Sequence, residues 1–92
     1  MATKVKNLNG TGDRKAPSPY IGWLDYWKDR TNISRPLCSN VKCYNHAAVG
    51  AHVKKADSYD GKWYITPLCE KCNKKPSSEE FYVSDNIVPV KD

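Results

Sequence analysis

Between residues 20 and 32 the chain reads YIGWLDYWKDRTN, and its large apolar side chains recur at helical spacing. At about 100° per residue, Tyr20, Trp23, Leu24 and Trp27 share one face, with Gly22, Asp25 and Asp29 opposite. Ser18 and Pro19 stand where an N-cap and a first helical residue belong. Thr31 and Asn32 mark the helix end, ahead of Pro36. The aromatic stripe has two readings, core packing or a platform for nucleic-acid bases. Two tryptophans at i and i+4 on an amphipathic helix favour packing.

Further along, the period changes from helix to strand. AAVGAHVKK (residues 47–55) and KWYIT (62–66) read as two strands around the DSYDG turn, and so as a hairpin. LCEKCNKK (68–75) reads as a turn opening into about one helical turn, which Pro76 stops. EEFYVS (79–84) and NIVPV (86–90) alternate around Asp85 and Asn86, which predicts a second hairpin at the C-terminus. Residues 1–17 are polar and rich in Asn, Gly, Lys and Arg. They read as a flexible, solvated arm carrying Lys4, Lys6, Arg14 and Lys15, with residues 18–92 forming a single domain.

Composition sharpens this outline. A 92-residue chain buries a modest core, and here three Trp and six Tyr supply much of it. Folds of this size often need a metal or disulfides for stability. No run of about 18 apolar residues occurs, and the N-terminal stretch lacks the apolar segment of a signal peptide. The expectation is a cytoplasmic protein without membrane spans. Thiols stay reduced there, so its cysteines read as metal ligands before they read as disulfides.

The four cysteines form two pairs, Cys38 with Cys43 and Cys69 with Cys72. Two close pairs joined by a longer loop suit one tetrahedral Zn²⁺, since each tight turn presents two sulfurs to the same ion. His46, three residues after Cys43, also has ligand spacing and stands as an alternative to one cysteine. The competing readings are a redox pair at Cys69 and Cys72, for which the chain offers no βαβ setting, and plain buried thiols.

Cysteine turn, hairpin, cysteine turn and short helix follow one another in the order of a treble-clef finger. More narrowly, CSNVKC, GAHV and YITPLCEKCN give residues 38–75 a resemblance to the zinc-bearing HNH (His-Me finger) endonucleases. The resemblance implies a structural zinc on Cys38, Cys43, Cys69 and Cys72. It puts His52 in the place of the water-activating base and Asn73 in the place of a residue that helps hold Mg²⁺. An imidazole suits proton abstraction and a carboxamide oxygen can ligate Mg²⁺. Three positions depart from the pattern. Ala51 stands where the family has an acidic ligand, Tyr64 near the place of the residue that orients the base, and Pro76 cuts the helix. These departures imply a degenerate member.

The expected protein is thus a small α+β zinc-binding domain, treble-clef and HNH-like, with an N-terminal amphipathic helix and a C-terminal hairpin. The expected function is a non-catalytic module that binds nucleic acid or protein. The alternative is a metal-dependent endonuclease using His52 and Asn73, with Asp57 or Asp60 replacing the missing carboxylate. The formal charge of +5 falls to about +3 once four thiolates hold one Zn²⁺. Lys54, Lys55, Lys71, Lys74 and Lys75 are the candidate contacts to nucleic acid, on the expectation that they share a face.

Overall fold

The computed structural model describes residues 2–8, 16, 19–56, 62–76 and 78–90. Among these described residues seven elements follow one another: β1 (Ala2–Asn7), α1 (Trp23–Thr31), β2 (Val49–Lys55), β3 (Tyr64–Leu68), α2 (Glu70–Asn73), β4 (Glu80–Ser84) and β5 (Val88–Pro89). The strands form one antiparallel sheet in the order β4-β1-β2-β3-β5. β4 and β5 occupy opposite edges, yet only residues 85–87 connect them. Four such steps reach about 14 Å, against about 19 Å across a flat five-stranded sheet. The sheet must therefore curl.

Register assigns each side chain to a face. On the inner face Val5, Val53, Tyr64, Leu68, Phe81 and Val83 pack with Cys38, Cys69 and Cys72. On the outer face α1 lies over β2, β3 and β5. At Gly50 its backbone comes close to the strand: a Cβ there would sit 2.4 Å from Leu24 N. Buried Ile65 and His52 are cross-strand partners on this same outer face. The polypeptide thus has two apolar layers, one centred on the cysteines and one beneath the helix.

α1 begins later than expected. Its N-cap is Gly22, in an extended conformation without a side-chain cap, while Ser18 lies outside the described residues. Its end falls at the expected place. Asn32 takes the left-handed conformation at φ 60 and donates its N–H to Lys28 O, a position that suits asparagine. Trp27 is buried as expected, whereas Tyr26, outside the expected stripe, is the other fully buried residue. Tyr20 instead turns outward and its hydroxyl donates to Asp29.

Two expectations are corrected. Residues 2–7, read as part of a solvated arm, form an inner strand paired with both β2 and β4. Alternation explains it: Val5 and Asn7 point into the core while Lys4 and Lys6 point out. The remainder of that arm, with Arg14 and Lys15, lies outside the described residues. The C-terminal hairpin does not form either. β4 pairs with β1 and β5 with β3, because Phe81 and Val83 take the inner-face places beside Val5. Trp27 Nε1 donates to Asn86 O at 2.5 Å and holds the link between them against α1. The β2–β3 hairpin and the single turn of α2 appear as expected.

Candidate metal centre

The first cysteine turn builds itself around Asn40. Cys43 N–H donates to Asn40 O at 2.9 Å and Lys42 N–H to Asn40 Oδ1 at 3.0 Å, so the side chain and backbone of one residue close the loop. The loop is also fastened to the sheet: Ser39 N–H donates to Pro67 O, Val41 N–H to Tyr82 O and Ser84 N–H to Ser39 O. The first of these bonds reaches β3, and the other two cover the outer edge of β4, an edge that would otherwise expose its backbone.

The second pair comes from the junction of β3 and α2. Cys69 is the extended N-cap residue of α2 and its carbonyl accepts from Asn73 N–H at 2.9 Å. Cys72 sits one turn later and points inward. A four-residue helix has no stability of its own. Here Asn7, from β1, holds its end: Asn7 Nδ2 donates to Cys72 O at 2.9 Å and lies 3.2 Å from Lys75 O.

Both turns deliver their sulfurs to one point. The four Sγ atoms lie within 4.8 Å of one another, and Cys43 Sγ is 3.8 Å from Cys69 Sγ. Four sulfurs bound at about 2.3 Å to a tetrahedral ion are separated by about 3.8 Å. The box is therefore of the right size to hold a metal ion, and no disulfide joins these cysteines. Cys38, Cys69 and Cys72 are buried and Cys43 is half-buried at the rim. Asn40 Nδ2 stands 3.5 Å from Cys72 Sγ, a donor aimed at a sulfur that would carry negative charge.

Burial works against that charge at two of the sulfurs. Burial pushes the Cys38 thiol up to about 12 and raises that of Cys72 as well. The Cys72 backbone N–H lowers Cys69 to about 7. Four thiolates packed this closely repel one another, and a cation at their centre reverses that balance because it holds its sulfur ligands deprotonated.

The other expected site residues are dispersed. His46 is exposed, bridges to Leu37 and does not join the cysteine group. His52 is buried on the outer face, its ring 4.9 Å from that of Trp23 and 5.9 Å from that of Trp63. Asn73 is exposed on α2, against the inner face. His52 and Asn73 thus lie on opposite sides of the sheet. Ala51 is buried in the inner core, Tyr64 packs beside it, and Asp57 and Asp60 lie outside the described residues. The lysines divide too. Lys54 is exposed on the outer face, whereas Lys55 lies across the Tyr64 ring on the inner one. Lys71 and Lys74 are exposed beside α2, and Lys75 pairs with Glu79 at 2.6 Å.

Two residues that organise the site went unread in the sequence. Asn40 had a signal, since an Asn inside a cysteine turn closes such loops. Asn7 had none, being one polar residue in a polar stretch. Comparison with protein families, curated proteins and solved structures finds no match to this chain. Fold and site together define a small α+β protein with a buried four-cysteine cluster able to hold a metal ion. Among the described residues no helix is long and apolar enough to cross a membrane.

Proposed function

We propose that this chain is a zinc-stabilised, treble-clef-like module, a degenerate relative of the HNH finger, that binds nucleic acid and does not cut it. The convergence of four sulfurs from two turns carries the reading. Soft thiolates in a tetrahedral box select Zn²⁺ among abundant divalent ions, and a closed Cys₄ set leaves no open position for catalysis. The order of turn, hairpin, turn and short helix supports the treble-clef likeness.

The separation of His52 from Asn73 supports a non-catalytic role. A base must come within hydrogen-bond reach of the water it activates at the metal. A histidine beneath α1 and a carboxamide across the sheet share no such water. The mild positive charge favours nucleic acid over a protein partner, and its expression is binding that weakens with salt. The test is to purify the zinc-loaded protein and titrate it into labelled DNA and RNA at several salt concentrations. Affinity that falls steeply with salt, without Mg²⁺-dependent cleavage, supports the reading. Absence of binding at low salt overturns it.

A further inference from the structure

The helix covers only part of the outer face. α1 packs on β2, β3 and β5, and the outward residues of β4 and β1 are exposed or half-exposed. Lys4, Lys6, Glu80 and Tyr82 stand there, joined by exposed Lys54 from β2. Lys6 and Lys54 are direct cross-strand partners, and Lys4 is the partner of Tyr82. Like charges directly opposite each other destabilise a strand pair. Lysine on a sheet often serves to block an open edge, but β1 and β2 are inner strands with no open edge.

Counter-charge is unevenly shared between Lys6 and Lys54. Glu80 lies 3.7 Å from both Lys4 and Lys6, one carboxylate between two ammonium groups. Lys54 makes no ion pair among the described residues. Beside them the Tyr82 ring is 47 % exposed, with Lys4 Nζ 5.8 Å from its centre. Lys6, Lys54 and a partly exposed aromatic ring on a sheet surface combine the two things a single strand offers contacts for, phosphates and unpaired bases.

We propose that this outer face of β4, β1 and β2 is the nucleic-acid surface, and that its ligand is single-stranded. Lys54 and Lys6 neutralise phosphates of the strand while a base stacks on Tyr82. A single strand supplies phosphates for the lysines and unstacked bases for the ring together. A duplex keeps its bases stacked on one another and has none to give it. The site lies on the sheet face turned away from the cysteine cluster, and the lysines beside α2 take no part. The proposal rests on the reading of the chain as a nucleic-acid binder.

The experiment uses the full, zinc-loaded chain and fluorescence anisotropy with a labelled mixed-sequence single-stranded 20-mer and its duplex. Lys6→Gln/Lys54→Gln is compared with Lys71→Gln/Lys74→Gln, and Tyr82→Ala with Tyr82→Phe. Zinc content and the amide NMR spectrum confirm that each variant is folded. The outer-face pair should weaken single-strand binding about tenfold and lower the salt slope by about 1.4, two contacts at about 0.7 each. The α2 pair should change it less than about threefold. Tyr82→Ala should cost about fivefold or more, with binding restored in Tyr82→Phe because stacking needs only the ring. Loss in the α2 pair with the outer-face pair unaffected overturns this site but leaves nucleic-acid binding standing. Equal affinity for duplex with no effect of Tyr82→Ala overturns the single-strand assignment. No binding by the parent chain defeats the underlying reading itself.

Discussion

Asn7 Nδ2 donates to Cys72 O at 2.9 Å, joining the first strand to the last cysteine across 65 positions of chain. The same amide is within 3.4 Å of Asn73 O and 3.2 Å of Lys75 O. One buried side chain thus satisfies the end of the helix that carries the second cysteine pair. The metal box is consequently not a property of residues 38–75 alone.

Replacing Asn7 by Ala removes the side-chain donor from those carbonyls and leaves Cys72 O with the Lys75 N–H at 3.2 Å alone. The expected cost is about 1–3 kcal/mol in urea unfolding of the zinc-loaded protein. Zinc transfer to a competing chelator should also speed up. An unchanged unfolding midpoint and transfer rate would remove Asn7 from the account.

Gly50 gives a second stability test, on the other face of the sheet. A Cβ at this position meets α1 backbone at 2.4 Å, and backbone cannot rotate away as a side chain can. Gly50→Ala should destabilise by about 1–3 kcal/mol through displacement of α1. Metal affinity should change little, since the cysteines lie in the opposite layer. Equal stability of the variant would mean that α1 packs elsewhere.

Much of this arrangement is local in sequence and was legible there. The β2–β3 hairpin follows from two apolar runs around a turn, and the cysteine spacing specifies the two turns that meet. β1 was not legible because its alternation rests on one apolar residue, Val5, among lysines and asparagine. The apparent C-terminal hairpin failed for a related reason. Turn chemistry at Asp85 and Asn86 describes a local bend, but Phe81 and Val83 gain more by packing against a strand 75 or more positions earlier. Nothing between residues 79 and 90 encodes that partner. The division of His52 from Asn73 likewise follows from sheet register, since one step along β2 exchanges inner for outer face.

Catalysis offers a sharper test of the site. His52 packs edge-on against Trp23 and Trp63 rather than facing the cysteine layer. His52→Ala should lower stability by about 1–3 kcal/mol, by removing packed volume beneath α1. The parent chain should not nick supercoiled plasmid with Mg²⁺ or Mn²⁺. Cutting by the parent that vanishes in a parallel His52→Ala preparation, with that variant still folded, would establish the nuclease alternative.

Metal removal should dismantle the inner layer. The thiols are part of the apolar cluster with Leu68, Val53 and Phe81, so losing the ion loosens the core that they share. A strong chelator, or Cys72→Ser, should collapse the dispersion of the amide NMR spectrum, because in such sites metal binding and folding are one free energy. A spectrum that stays dispersed after zinc has demonstrably left would separate the two.

X-ray absorption at the zinc edge on the purified folded protein tests whether Cys38, Cys43, Cys69 and Cys72 hold one zinc ion. The predicted result is one zinc per chain with four sulfur neighbours at about 2.3 Å and no nitrogen ligand. A folded protein without stoichiometric metal, a Cys43–Cys69 disulfide, or a shell of three sulfurs and one imidazole nitrogen would contradict it.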